Sequence, residues 1–136
     1  MSPLVDIARG YLGTPFHHQG RLPNVGLDCA GVVVCALKAC GIAVTDVHGY
    51  GRIPANGLFM AAVNKHCDRV DLAAVQPGDL LMFRFRDAPQ HIAIVSSVNP
   101  TRIIHAYQEV GKVVENSLDA AWTARLVGCY RLKVSA

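Results

Sequence analysis

The sequence predicts an α+β layer structure, with helices first and an antiparallel sheet after them, and three observations support it. Apolar residues at helical spacing are confined to the N-terminal part of the chain. After Gln76-Pro77-Gly78-Asp79, a turn signal, the pattern changes to short apolar runs separated by turns. Nothing repeats and no linker divides the 136 residues, so one domain over 1–136 is expected, large enough for its own core.

The first helix is drawn by Leu4, Ile7, Ala8 and Tyr11, behind a Ser2-Pro3 start and closed by Gly13. A loop carrying Pro15, Gly20, Pro23 and Gly26 follows. Asp28 then stands as the N-cap of a second helix, Cys29 to about Ala39, with Gly41 as its stop. The β-branched run Val32-Val33-Val34 would also suit a strand, but the bracketing glycines and the length favour helix. Gly49-Tyr50-Gly51-Arg52-Ile53-Pro54 reads as loop and Leu58–His66 as a short third helix. Five strands complete the chain: Leu80–Phe85, His91–Val98, Arg102–Tyr107, Lys112–Asn116 and Val127–Val134. They are expected to form a meander carrying the helices on one face.

Composition narrows the function. Half the residues (51%) are apolar and 17% are charged, which excludes a disordered, solvating chain. A net charge of +3 suits an anionic polymer, yet the Lys/Arg runs of a nucleic-acid binder are missing, and no nucleic-acid partner is expected. The longest uncharged apolar stretch, Cys29 to Leu37, is too short for a bilayer, so no membrane insertion is expected. The start Met1-Ser2-Pro3-Leu4-Val5-Asp6 does not read as a signal peptide, which points to synthesis in a reducing cytoplasm. Five cysteines, an odd number without framework spacing, are then expected as free thiols.

Cys29 stands apart from the other four. At the start of a helix its thiol would meet outward-pointing amides, which lower a thiol pKa and suit an oxyanion forming beside the sulfur. Gly31 would leave one side of that turn bare for a substrate carbonyl. A nucleophilic thiol needs a base, and the base needs an orienting partner. His91 and His105 are polar residues on consecutive apolar strands, fourteen positions apart. An even separation places both on one face only if the connecting loop has an odd number of residues. A three-residue loop around Asn99-Pro100 would set His105 opposite or diagonal to His91, roughly 5–8 Å away. His17-His18-Gln19 lies in the loop leading to Cys29, where lining the same cleft and simple solvation are both open. Without Cys-x-x-Cys, His-Glu-x-x-His or a ligand pair at helical spacing, no metal is expected.

Five blocks in order resemble the NlpC-type cell-wall cysteine peptidases: Tyr11–Phe16, Asp28-Cys29-Ala30-Gly31, Gln76–Leu80, His91–Val95 and Ile104-His105-Ala106. The pair His18-Gln19 and the loop Tyr50–Pro54 further resemble the branch carried by tailed bacteriophages and prophages. The resemblance implies a papain-like fold with Cys29 as nucleophile, His91 as base and then acid, and His105 orienting it. The Cys29 amide would lie in the oxyanion hole. Phe16, His18, Gln19, Asp28 and Ala30 would contact substrate. The implied substrate is the peptidoglycan stem peptide, typically cut between D-glutamate and a diamino acid through a thioester. The implied setting is a phage tail acting at the wall, with tail proteins as partners. A tail-assembly module using the same fold, and an acyltransferase or amidase with the same three residues, are the alternatives. The chain departs from the family pattern at Ala30, Phe16 and Ala93, where Ser, Tyr and Gly are usual. The first two changes remove hydrogen-bonding groups near the substrate's peptide end.

Overall fold

A computed structural model describes residues 2–44, 46, 58–85 and 89–133. The predicted loop Gly49–Pro54 lies outside these residues, as do Ala88 and Val134.

Helix α1 spans Pro3–Arg9. It is shorter than its apolar spacing suggests, because Gly10 caps it and turns carry the chain onward to Gly13, whose φ of +86° sends its N–H to the Val113 carbonyl. Tyr11 still packs on the core from outside the helix. A small hairpin follows, β1 (Arg21–Leu22) with β2 (Gly26–Leu27), which the sequence reading leaves as loop. Helix α2 spans Cys29–Ala39, as its Asp28 cap predicts: the carboxylate accepts from the Gly31 amide at 2.8 Å. Helix α3 spans Leu58–His66.

Among the described residues, six strands rather than five build the main sheet, in the order β3-β8-β4-β5-β6-β7. These are β3 (Cys67–Val70), β4 (Leu80–Arg84), β5 (Pro89–Ser97), β6 (Arg102–Tyr107), β7 (Lys112–Ser117) and β8 (Leu126–Leu132). The additional strand, β3, is an edge strand with Asp68 and Arg69 exposed, and such charged edges lack the apolar alternation that marks a strand. The order also departs from a simple meander. After β7 a short helix, α4 (Ala120–Ala124), reverses the chain, and β8 returns to pair between β3 and β4. Asp119 caps α4 by accepting from the Trp122 amide at 2.9 Å.

Side-chain alternation divides the sheet into two apolar faces. One carries Leu80, Met82, Ile92, Ile94, Ile104 and Ala106 against α1, α2 and Val63 of α3. The other carries Leu81, Phe83, Ala93, Val95 and Ile103 against Val75 and Trp122. Helices therefore cover both faces, because α4 folds Trp122 over the side that the first three leave open. Phe83 is fully buried and meets Trp122 edge-on at 5.1 Å between ring centroids. Phe83→Ala is expected to cost roughly 3–5 kcal/mol in urea denaturation, and a loss below about 1 kcal/mol would show that α4 readily repacks.

Candidate active site

Which face a histidine presents depends on the β5–β6 turn. That turn has four residues, 98–101, between Ser97 and Arg102, and not the predicted three. An even turn alone would send His105 to the face opposite His91. A bulge at Ser96 absorbs one residue: the register passes from Ser97↔Arg102 to Val95↔Ile103 and Ile94↔Ile104. Parity is restored, and His105 falls diagonal to His91 on the same face.

The two rings meet there. His91 Nε2 and His105 Nδ1 are 2.6 Å apart, and His105 Nε2 lies 2.7 Å from Asn116 Oδ1 on β7. The Asn116 amide group donates in turn to the Ser117 carbonyl at 3.2 Å. An aromatic wall surrounds the pair. Trp122 stacks on His91 at 5.4 Å, and Phe85 and Tyr107 approach it at 5.3 and 5.8 Å. The Arg125 guanidinium lies over Phe85 and Trp122, 5.4 Å from each ring. The sequence reading places Asn116 only at the end of a strand and not among the site residues. Its signal was the short polar run Glu115-Asn116-Ser117 at the end of a strand, which does not announce a partner eleven residues away.

Cys29 approaches from the other side of the sheet, at the start of α2. Val95 bonds to the Gly78–Asp79 turn through both its amide and its carbonyl, at 2.8 Å each. Backbone direction alternates along a strand, so the amides of Ile94 and Ile92 point toward β6. Among the described residues the β5–β6 ladder stops at Ile94↔Ile104, and the Ile92 amide instead lies close enough to the Cys29 sulfur to favour its thiolate, as does that of Ala30. The sulfur thus sits in the opening between the strands, one peptide bond from His91. Among the described residues, Cys29 and His91 share no direct side-chain hydrogen bond. Thiol–imidazole contacts are often loose before substrate binds.

Electrostatics differ from the helix-start expectation. Burial pushes the Cys29 thiol up to about 12, with the Asp28 carboxylate adding to it, while the Ile92 and Ala30 amides and Arg21 oppose. A nearly enclosed sulfur loses more from desolvation than the helix terminus returns. His91 is lowered well below its ordinary 6.5 by burial first, then by His105 and Arg125. Burial also lowers His105, against the Asn116 hydrogen bond. Near neutral pH the resting site holds a thiol and two uncharged imidazoles.

The loop before α2 is tied to its first turn. The Asp28 oxygens accept from Gly31 N, from Arg21 Nη1 at 2.8 Å and from Gln19 N at 2.9 Å, and Arg21 reaches on to Asp46 at 3.1 Å. Gly31 leaves no open side: a Cβ there would collide with the Gly20 carbonyl, so the space expected for substrate is taken by the protein's own loop. Phe16 packs against the core beside α2 and bridges to Leu27, His18 contacts the Gln19 side chain, and Ala30 is buried next to Cys29. His17 donates from Nδ1 to the His18 carbonyl. All five cysteines are free thiols.

These shifts make stability depend on pH in a defined direction. Both histidines bind protons more weakly folded than unfolded, so their contribution is complete above the ordinary 6.5 and is lost as pH falls below it. The Cys29 thiol does the reverse: above its ordinary 9.0 the unfolded chain ionises first, and stability falls toward about 12. The urea midpoint is expected to drop between about pH 7 and pH 5.5, and less so in His91→Gln. A midpoint equally flat in both proteins would overturn the assignment.

The NlpC/P60 family model matches residues 13–131. A Staphylococcus aureus protein of that family, described as similar to a lipoprotein, superposes with a TM-score of 0.74 at 22% identity over 96% of this chain. The chain spans 40% of that protein's chain. The NlpC/p60 domain of the peptidoglycan hydrolase SagA gives 0.67 at 23% identity, covering 97% of each chain. RipD of Mycobacterium tuberculosis, described as a non-catalytic NlpC/p60 domain protein adapted to peptidoglycan binding, gives 0.62 at 13% identity over 98% of this chain and 100% of its own. At such identities the likeness establishes the papain-like α+β fold. Among curated proteins nothing matches. With the family model matched from Gly13 to Arg131 and the fold shared by these structures, the chain belongs to the NlpC/P60 family.

Proposed function

We propose that the protein is a peptidoglycan endopeptidase that cuts stem peptides, with Cys29 as nucleophile, His91 as base and then acid, and His105 orienting His91. The observation that carries this reading is the run of hydrogen bonds from His91 to His105 to Asn116, set against the peptide whose amide faces the Cys29 sulfur. A packed core has no use for two adjacent buried imidazoles, whereas a thiol hydrolase needs an aligned base.

In the reaction the sulfur attacks the scissile carbonyl carbon as His91 takes the thiol proton, forming the C–S bond and an oxyanion beside the Cys29 amide. Collapse breaks the C–N bond, and His91 returns the proton to the leaving amine. Water, deprotonated by His91, then hydrolyses the thioester and regenerates the thiol. Because the resting sulfur is a thiol, proton removal accompanies attack instead of preceding it. The resemblance of the five motif blocks supports the bond between D-glutamate and a diamino acid as the one cut. The absent hydroxyls at Phe16 and Ala30 support a changed preference at the peptide end. The resemblance of the His18-Gln19 pair to the branch carried by tailed bacteriophages supports action at the wall from a phage tail.

A wall-binding module without turnover is the second reading, favoured by the non-catalytic character of RipD and by the raised Cys29 thiol. Digestion of purified sacculi separates the two. Wild type is expected to release peptides with new amino termini, identified by mass spectrometry. Cys29→Ala should release none, and His91→Ala should be slower by roughly 10²–10⁴. Sacculi that are bound but left uncut by wild type would sink the hydrolase reading.

A further inference from the structure

We propose that Asn116 is a positioning residue: its side-chain oxygen sets the tautomer of His105, and through it that of His91, leaving Nδ1 of His91 as the basic atom. The inference rests on the reading of His91 as the base for Cys29.

The argument follows the protons. Asn116 Nδ2 donates to the Ser117 carbonyl, which accepts only, so Oδ1 is the atom facing His105. An amide oxygen cannot donate. His105 Nε2, 2.7 Å away, therefore carries the proton, and in the neutral ring Nδ1 is a bare acceptor. The atom 2.6 Å from that acceptor, His91 Nε2, must then be the donor. One hydrogen remains on each ring, and both are placed. His91 Nδ1 keeps its lone pair for the thiol proton, and once it has that proton, the positive ring still donates from Nε2 to His105.

Among the described residues nothing else in the surroundings performs this selection. Around the two imidazoles stand Trp122 from α4, Tyr107 from β6 and Phe83 from β4, with Phe85 just beyond it. Among the described residues, the charged and titratable groups near them are Arg125, the Cys29 sulfur behind the Ile92 amide, and Tyr107 with its neighbour Glu109. Asn116 makes the terminal hydrogen bond of the relay, and it ends the relay on a neutral amide. A carboxylate there would favour a charged imidazole at rest, whereas the pull of the amide in that direction is outweighed by burial, so the amide fixes the tautomer of a neutral ring.

The experiment is long-range ¹⁵N–¹H NMR of the whole protein labelled on its histidine rings, for wild type, Asn116→Leu and Asn116→Asp. In wild type both rings are expected with the proton on Nε2. Asn116→Leu should turn His105 into a mixture of tautomers and disturb His91, with kcat on wall peptides down by about tenfold or more and KM within about twofold. Asn116→Asp restores an acceptor, so it should recover the Nε2–H tautomers and most of kcat, while moving the acid limb of the pH profile upward. A wild-type His105 protonated on Nδ1, or a folded Asn116→Leu with unchanged tautomers, would overturn the proposal. So would a folded Asn116→Asp in which the tautomers stay mixed. Should Asn116→Leu fail to fold, the wild-type and Asn116→Asp spectra decide alone. Tautomers that respond as expected in a protein that cuts no wall peptide would uphold the role of Asn116 and refute the hydrolase reading.

Discussion

The hydrogen bond between two buried imidazoles is the constraint around which the candidate site is built. A buried polar ring without a partner is costly, so each histidine requires the other, and the second requires Asn116. Meeting these requirements fixes three strands in register. β5 and β6 must present both rings to one face, and β7 must bring an amide oxygen to the far nitrogen. The bulge at Ser96 is what makes this possible with a four-residue turn.

The same strands must separate to admit the Cys29 sulfur. Where β5 and β6 part beyond Ile94, the Ile92 amide loses its neighbour and faces the Cys29 sulfur instead. The opening thus joins the helix on one face of the sheet to the imidazoles on the other. Its enclosure also explains the charge state. A sulfur and two rings packed this tightly are driven toward their neutral forms, and the nearby guanidinium of Arg125 works against a charged His91. Within the NlpC/P60 family fold the chain therefore presents a candidate site that rests as an uncharged thiol beside uncharged imidazoles.

Much of this was legible beforehand where the signal is local. The Asp28 cap, the extent of α2, the four strands β4 to β7 and the polar intruders in two apolar strands can each be read within a few residues. Local reading was weaker at edges and turns. β3 carries charges because it lies at a sheet edge, and α4 is a single capped turn too short for a periodic pattern. Parity reasoning demanded an odd turn, and the chain met the same geometric need with an even turn and a bulge, which sequence spacing cannot distinguish.

By itself the sequence determined the fold class, the capped helix start at Cys29 and the polar positions of His91 and His105 in apolar strands, because these depend on periodicity, caps and alternation. Only the tertiary structure decided that β8 returns beside β4, that the Gly20 carbonyl fills the space at Gly31, that Asn116 ends the relay, and that burial keeps Cys29 protonated. Each of these depends on groups distant in the chain, and desolvation in particular is a property of everything that surrounds an atom, which no neighbouring residue records.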